Sequence, residues 1–213
     1  MSGKVSMPKV ETPLDHLLRT LKVTAGCRFN AARRLESHDR RLTRLTAFAS
    51  AYVIALTVLP YFMKLPSQTS DLYNLVTVGL SVVILVSSLL QYSSGEVVNS
   101  EQHHRSALEI SEIRRLLLLK DGKVTDDELL EYTKQYNDVL QKYSINHDDI
   151  DFLQYQLERP EVFPWVDGKK RLAIRLRLSC NRNTPSVILF AMTAFMIWLV
   201  VWYGVAGHSL TAR

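Results

Sequence analysis

Charged residues are missing from three long stretches of this 213-residue chain, namely residues 45–63, 72–95 and 183–212. A helix needs about 20 mostly apolar residues to cross the hydrocarbon core of a bilayer. The sequence therefore predicts an all-α integral membrane protein. Its first two spans, 45–63 and 72–92, form a transmembrane hairpin, and a third C-terminal span covers 186–206.

The charged residues between the spans predict the orientation of the chain. Six arginines lie within residues 28–44, and six basic residues lie within 169–182. Basic segments beside spans stay in the cytoplasm, so we expect a multi-pass protein of the bacterial inner membrane with its N-terminus inside and its C-terminus outside. The predicted parts are a basic cytoplasmic helix 1–44, the hairpin 45–95, a helical cytoplasmic region 96–185, the third span 186–206 and a tail 207–213.

The same charges indicate what the cytoplasmic part binds. Residues 96–168 hold 8 basic and 16 acidic residues, whereas direct nucleic-acid binding favours an extended basic surface. We therefore expect no direct nucleic-acid binding. Basic clusters beside spans are better explained by anionic headgroups, at about 1 kcal/mol per charge. The residues predicted to bind headgroups or to lie at a pore mouth are Arg40, Arg41, Arg44, Lys169, Lys170 and Arg171.

Local signals place helices throughout the cytoplasmic part. Thr12 followed by Pro13 is typical of a helix start, and this helix is expected to run on into the first span with Gly26 as its weak point. Residues 96–120 contain no Gly or Pro, which predicts that the second span continues as one long helix. Thr125 to Glu128 has the pattern of a capping box for the next helix.

No residue pattern indicates catalysis, and we expect no enzyme activity, no cofactor and no metal. His103 and His104 are adjacent and are interpreted as solvated side chains on a helix. His147, Asp148, Asp149 and Asp151 could bind a cation weakly, but acids at a helix start favour capping. Cys27 and Cys180 are interpreted as free thiols. The three spans carry no Asp, Glu, Lys, Arg or His, which argues against an ion-coupled transporter.

Polar residues recur along one side of the second span. Asn74, Ser81, Ser88 and Gly95 are spaced by seven residues, and Thr77 and Gln91 fall beside them with Ile84 in the middle. Small and hydroxyl residues favour close helix packing in membranes. The second explanation is a water-filled pore with Ile84 as a hydrophobic constriction; packing is the more common cause of such a pattern, and in an oligomer the two are not exclusive. The candidate pore-lining residues are Asn74, Thr77, Ser81, Ile84, Ser88 and Gln91.

One segment carries a family resemblance. The run Arg28-Phe-Asn-Ala-Ala-Arg-Arg-Leu35, the Ser50/Tyr52 start of the first span and the short hairpin after it resemble the SLATT domains. These are bacterial two-span effector domains of nucleotide-signalling and reverse-transcriptase-associated conflict systems. The resemblance implies a membrane effector that arrests or kills a phage-infected cell, with a reverse transcriptase or nucleotide-signalling sensor as partner. The third predicted span departs from the two-span pattern.

Two functions fit these observations. In the first, the chain forms homo-oligomers in the lipid bilayer and opens a gated pore or disrupts the membrane in antiphage defence. In the second, it is a non-conducting membrane adaptor that scaffolds a cytoplasmic partner enzyme through residues 96–168. Loss of the membrane potential on overexpression distinguishes the two.

Overall fold

The computed structural model describes residues 12–63 and 67–179, together with five single positions between 187 and 198. All regular structure in these residues is helical, and they divide into two compact units. The first unit comprises residues 1–35 and 98–174, and the second comprises 36–97 and 175–213. The helices are α1 (Pro13–Met63), α2 (Ser67–Ser93), α3 (Glu96–Leu119), α4 (Asp126–Tyr143) and α5 (Asp149–Glu158), with a further helical stretch at 168–179.

An apolar core holds together three helices of the first unit. Leu17 and Leu21 of α1 pack with Ile110 and Leu117 of α3 and with Val139 of α4. Each of these residues lies on one face of its helix, because residues three or four apart share a face. Full burial of one such side chain contributes about 1.5–3 kcal/mol. The apolar core of the first unit is therefore shared by α1, α3 and α4.

Both predicted helix starts are confirmed. At the start of α1, the backbone N–H of Asp15 donates to Thr12 Oγ1 over 3.1 Å, and the Thr12 N–H donates to the Asp15 carboxylate over 3.3 Å. At the start of α4, Thr125 and Glu128 make the same reciprocal pair over 3.3 and 3.1 Å. These bonds satisfy backbone N–H groups that have no partner inside the helix.

The second span does not continue as one long helix, so that prediction is wrong. α2 ends at Ser93 and α3 begins at Glu96. Gly95 has φ +63°, a left-handed conformation that ends helices and that glycine adopts at the least cost. Residues 96–120 do lack Gly and Pro. Gly95, immediately before them, ends the helix.

The second unit contains the hairpin of the later part of α1 and α2. α1 runs without interruption from Pro13 through Pro60 to Met63, which confirms the prediction that the basic helix continues into the first span. Ala49 and Leu56 of α1 and Tyr73 and Thr77 of α2 are buried. Two ranges, Pro13–Phe62 within α1 and Ser70–Leu119 over α2 and α3, each contain an apolar window long enough to cross a membrane, and only 17% and 11% of these windows are buried within the chain. A core helix of a soluble protein would be mostly covered, so this pattern indicates a membrane protein.

Three predictions concern parts of the chain that lie outside the continuously described residues. They concern the third span at 186–206, the tail 207–213 and the state of Cys180.

Candidate functional site

The Arg28–Leu35 run of α1 supplies the polar side chains of the first unit. Arg28 is 3% exposed. Its Nη1 donates to Ser106 Oγ on α3, and its Nη2 donates to the carbonyl of Ile145 over 3.1 Å. Burial lowers the pKa of Arg28, because a buried charge loses its hydration. This arginine therefore connects α1 to α3 and to the loop before α5.

Arg34 holds the start of α5. Its Nε donates to Asp151 Oδ1 over 2.8 Å, and its Nη2 donates to Asp151 Oδ2 over 3.0 Å and to Asp148 Oδ2 over 2.6 Å. Asp151 is fully buried. Its carboxylate also accepts the backbone N–H of Asp148, the N-cap residue of α5, over 3.0 Å. The hydrogen bonds that Arg34 donates to the Asp151 carboxylate raise the pKa of Arg34. The prediction that these acids cap a helix is confirmed.

Asn30 completes this group, which we call the α5 network (Arg28, Asn30, Arg34, Ser106, Asp148 and Asp151). Its side-chain amide donates to the backbone carbonyl of Asp151 over 3.2 Å, and its own oxygen accepts a bond from Arg33 over 2.5 Å. The expectation that the whole basic segment 28–44 faces headgroups is therefore wrong for Arg28 and Arg34. Their charges are used inside the protein.

Gly26 marks a close contact between α1 and α5. A Cβ atom at this position would lie 2.2 Å from Cε2 and 2.5 Å from Cδ2 of Tyr155, whose side chain is 2% exposed. The helix continues through Gly26, so the residue interpreted as a weak point is the place where an aromatic ring packs on the helix backbone.

We expect Gly26→Ala to destabilise the first unit by about 1–3 kcal/mol, because overpacking forces the Tyr155 ring and α5 to move. Gly79→Ala is the matched control, since a Cβ at Gly79 meets nothing within 4 Å. That change should be neutral or stabilise its helix by up to about 1 kcal/mol. Thermal unfolding followed by circular dichroism in mild detergent measures both. Equal melting temperatures for the two variants would contradict the contact.

His103 is buried, so the interpretation of two solvated histidines is wrong for this residue and correct for the exposed His104. His103 Nδ1 has no hydrogen-bond partner among the described residues. The charged groups that act on the ring are Arg28 and Arg34 of α1, Asp151 of α5 and His147 of the preceding loop. Burial, followed by the nearby Arg28, lowers the pKa of His103 below its usual 6.5. Burial also lowers the pKa of His147.

We expect the first unit to lose stability as the pH falls below about 6.5. A histidine whose pKa is lower in the folded state binds fewer protons there than in the unfolded chain, so its stabilising contribution is present above the unfolded pKa and is lost in acid. Urea unfolding between pH 7.5 and 5 measures this, and His103→Gln should flatten the dependence. The exposed His104→Gln is the control and should leave the slope as it was.

The polar residues of α2 divide between two surfaces. Thr77 is buried, and Ile84, Ser88 and Gln91 are partly buried, whereas Asn74 and Ser81 are exposed. Gln91 Nε2 donates to Asp39 Oδ1 of α1 over 2.9 Å and to Thr43 Oγ1 over 3.0 Å. At 100° per residue, Thr77 lies about 60° around the helix from Asn74, and Ile84 lies about 60° from Ser81. The polar residues therefore form two neighbouring rows, one at the α1–α2 interface and one along an exposed edge, which we call the polar edge (Asn74 and Ser81).

The hydroxyls of α2 donate to carbonyls of their own helix. Thr77 donates to Asn74 O over 2.8 Å, Ser81 to Thr77 O over 2.7 Å and Ser88 to Ile84 O over 2.8 Å. Such bonds satisfy hydroxyl donors within the helix and remove their need for water. The hydroxyl oxygens keep further capacity to accept bonds from a second helix or from water.

The predicted headgroup residues differ in their surroundings. Arg40 and Arg44 are exposed, and Arg40 pairs with Glu36 over 2.5 Å. Arg41 is partly buried. Lys169 and Lys170 are exposed, whereas Arg171 is partly buried and its Nε donates to the carbonyl of Val166 over 2.9 Å. Arg40, Arg41 and Arg44 belong to the second unit, and Lys169, Lys170 and Arg171 belong to the first.

These features define a class of protein, namely a helical membrane protein with a two-helix apolar hairpin and a helical body. By the helical body we mean the first unit, residues 1–35 and 98–174. The chain belongs to the SMODS and SLOG-associating 2TM effector domain family 5, whose family model matches residues 10–205. No curated protein and no solved structure matches the chain. The match confirms the predicted SLATT resemblance, and it includes most of the third apolar stretch, 186–206.

Proposed function

We propose that this chain oligomerises in the bacterial inner membrane and forms a gated pore, or disrupts the membrane, so that a phage-infected cell is arrested. The observation that carries the proposal is an apolar α1–α2 hairpin with an exposed polar edge, in a family of two-span effector domains. The proposed orientation places the N-terminus and the helical body in the cytoplasm.

The hairpin itself supports assembly from several copies. Two helices packed along one face cannot enclose a channel, so a pore requires several hairpins around an axis. The polar edge is exposed beside Leu75, which is 70% exposed, and Val78, which is 61% exposed. Lipid covers apolar side chains at no cost, whereas exposed polar groups are better placed against another helix or water. Assembly around the polar edge satisfies both requirements.

The helical body supports a regulated pore. Its α1, α3 and α4 share an apolar core, whereas the start of α5 is held by charged and polar side chains of α1. A partner protein that supplies charged groups of its own can compete for these contacts, because each bond that it breaks can be replaced by one of the same kind. We propose that the body holds the closed state and that a reverse transcriptase or nucleotide-signalling sensor releases it.

Membrane depolarisation tests the proposal. Induced expression of the full chain in bacteria should lower the membrane potential and admit a normally excluded dye. The matched control is Asn74→Leu combined with Ser81→Leu, which should insert equally well because leucine favours lipid, but which removes the polar edge. A potential that stays intact at matched membrane levels, with or without the sensor, would favour the adaptor function instead.

A further inference from the structure

Residues 165–172 present exposed apolar side chains among basic ones. Trp165 is 65% exposed and Leu172 is 59% exposed, while Lys169 and Lys170 beside them are also exposed. Most of a large apolar surface is normally buried in a folded protein, and a tryptophan open to water is costly. We call this set of four residues the Trp165 surface.

Buried residues next to the Trp165 surface fix its position in the first unit. The helical stretch at 168–179 begins with Asp167, whose Oδ1 accepts the backbone N–H of Lys170 over 2.9 Å. Ile174 of this stretch is 9% exposed, and it lies about 200° around the helix from Leu172 at 100° per residue. Phe163 is buried, and its ring centroid is 5.3 Å from that of Trp165. These contacts hold Leu172 and the indole outward.

The chemistry of the surface selects its partner. Tryptophan and leucine suit the boundary between headgroups and acyl chains, and lysines suit anionic headgroups. Asp167, the acid between Trp165 and Lys169 in sequence, is engaged at the helix start. We propose that the Trp165 surface lies in the headgroup layer of an anionic leaflet, with Trp165 and Leu172 inserted at the acyl boundary. This inference rests on the proposed membrane location of the hairpin, and it is independent of conduction.

A matched pair of exposed leucines tests the proposal. Leu172 and Leu130 are 59% and 56% exposed in the same unit, but Leu130 lies on α4 between Asp126, Asp127 and Glu131. Leu172→Cys and Leu130→Cys are made separately in full-length protein carrying Cys180→Ser. Burial raises the pKa of Cys27 to about 12, so its thiol stays protonated and resists labelling.

Each variant is labelled with an environment-sensitive fluorophore in nanodiscs of phosphatidylcholine, with or without phosphatidylglycerol. At position 172 we expect blue-shifted emission and quenching by spin-labelled acyl chains in anionic discs. At position 130 we expect water-like emission in both. Lys169→Glu with Lys170→Glu should weaken insertion at least about 25-fold, from about fivefold per lost charge.

Three outcomes would overturn the proposal. They are water-like emission at position 172 in anionic discs, the same emission at both positions, and a blue shift that follows the number of copies per disc rather than the lipid. The last outcome would assign the surface to a second copy of the chain. Because the fluorescence does not depend on conduction, shielding at position 172 without depolarisation would support this inference while contradicting the pore.

Discussion

Asp151→Ala should destabilise the helical body by about 3–5 kcal/mol, the usual effect of removing one partner of a buried ion pair. Asp151 is fully buried and receives two bonds from Arg34 and one from the backbone of Asp148. Its loss leaves the guanidinium of Arg34, whose side chain is only 22% exposed, with the more exposed Asp148 as its remaining partner in the α5 network. It also removes the side-chain acceptor at the start of α5.

A neighbouring acid provides the control for this prediction. Asp149 lies in the first turn of the same helix and is exposed. Asp149→Ala therefore removes an equal charge with only the helix-dipole effect of about 0.3–1 kcal/mol. Chemical unfolding of the parent and the variants measures the difference in the free energy of unfolding. Asp151→Asn, which keeps the shape and an acceptor, should fall between Asp151→Ala and Asp149→Ala. Similar free energies for Asp151→Ala and Asp149→Ala would show that the α5 network does not stabilise the body.

Local patterns in the sequence were sufficient for the helices and their starts. The leucines of α1, the capping box at Thr125 and the two uncharged stretches each act over a few neighbouring residues. The predicted spans 45–63 and 72–92 each lie within one helix, α1 (Pro13–Met63) and α2 (Ser67–Ser93). The prediction of one continuous helix failed at Gly95, because the left-handed backbone conformation of this single glycine separates α2 from α3.

The polar interior could not be predicted in the same way. Arg34 and Asp151 are 117 residues apart in sequence. The arginines before the first span were interpreted only from their position next to that span. Arg28, Arg34 and His103 therefore looked like surface residues. The Arg28–Leu35 run did indicate the family, yet its physical role, which is to hold α5 through Arg28, Asn30 and Arg34, depends on partners that local spacing does not identify.

The line of polar residues on α2 was predicted as one face, and the helix geometry separates it. Gln91 contacts α1, whereas Asn74 and Ser81 are exposed. Residues three apart differ by about 60° around an α-helix, which separates Thr77 from Asn74 and Ile84 from Ser81. Both interpretations of the line can therefore hold along its length, with packing at Gln91 and Thr77 and a lumen at the polar edge.

Ile84→Ser should make the membrane leak without any trigger. Ile84 is partly buried, one turn before Ser88 and less than one turn after Ser81. In the proposed assembly it is the apolar residue where the polar edge meets the α1–α2 interface. A narrow apolar ring disfavours water and keeps a closed pore dry, so a hydroxyl at this point should wet the constriction. Ile84→Trp should block conduction while assembly remains intact.

Val83 provides the control for this change, because it is the preceding residue and its side chain is 57% exposed. At 100° per residue it lies about 180° around the helix from Asn74 and about 200° from Ser81, so Val83→Ser introduces the same hydroxyl on the side of α2 opposite the polar edge. Dye entry and membrane potential are measured at matched membrane levels. A leak with Ile84→Ser and none with Val83→Ser would locate the constriction at Ile84. Equal leakage would reflect weakened helix association, and no leakage from either, with or without the trigger, would remove the pore and leave the adaptor function.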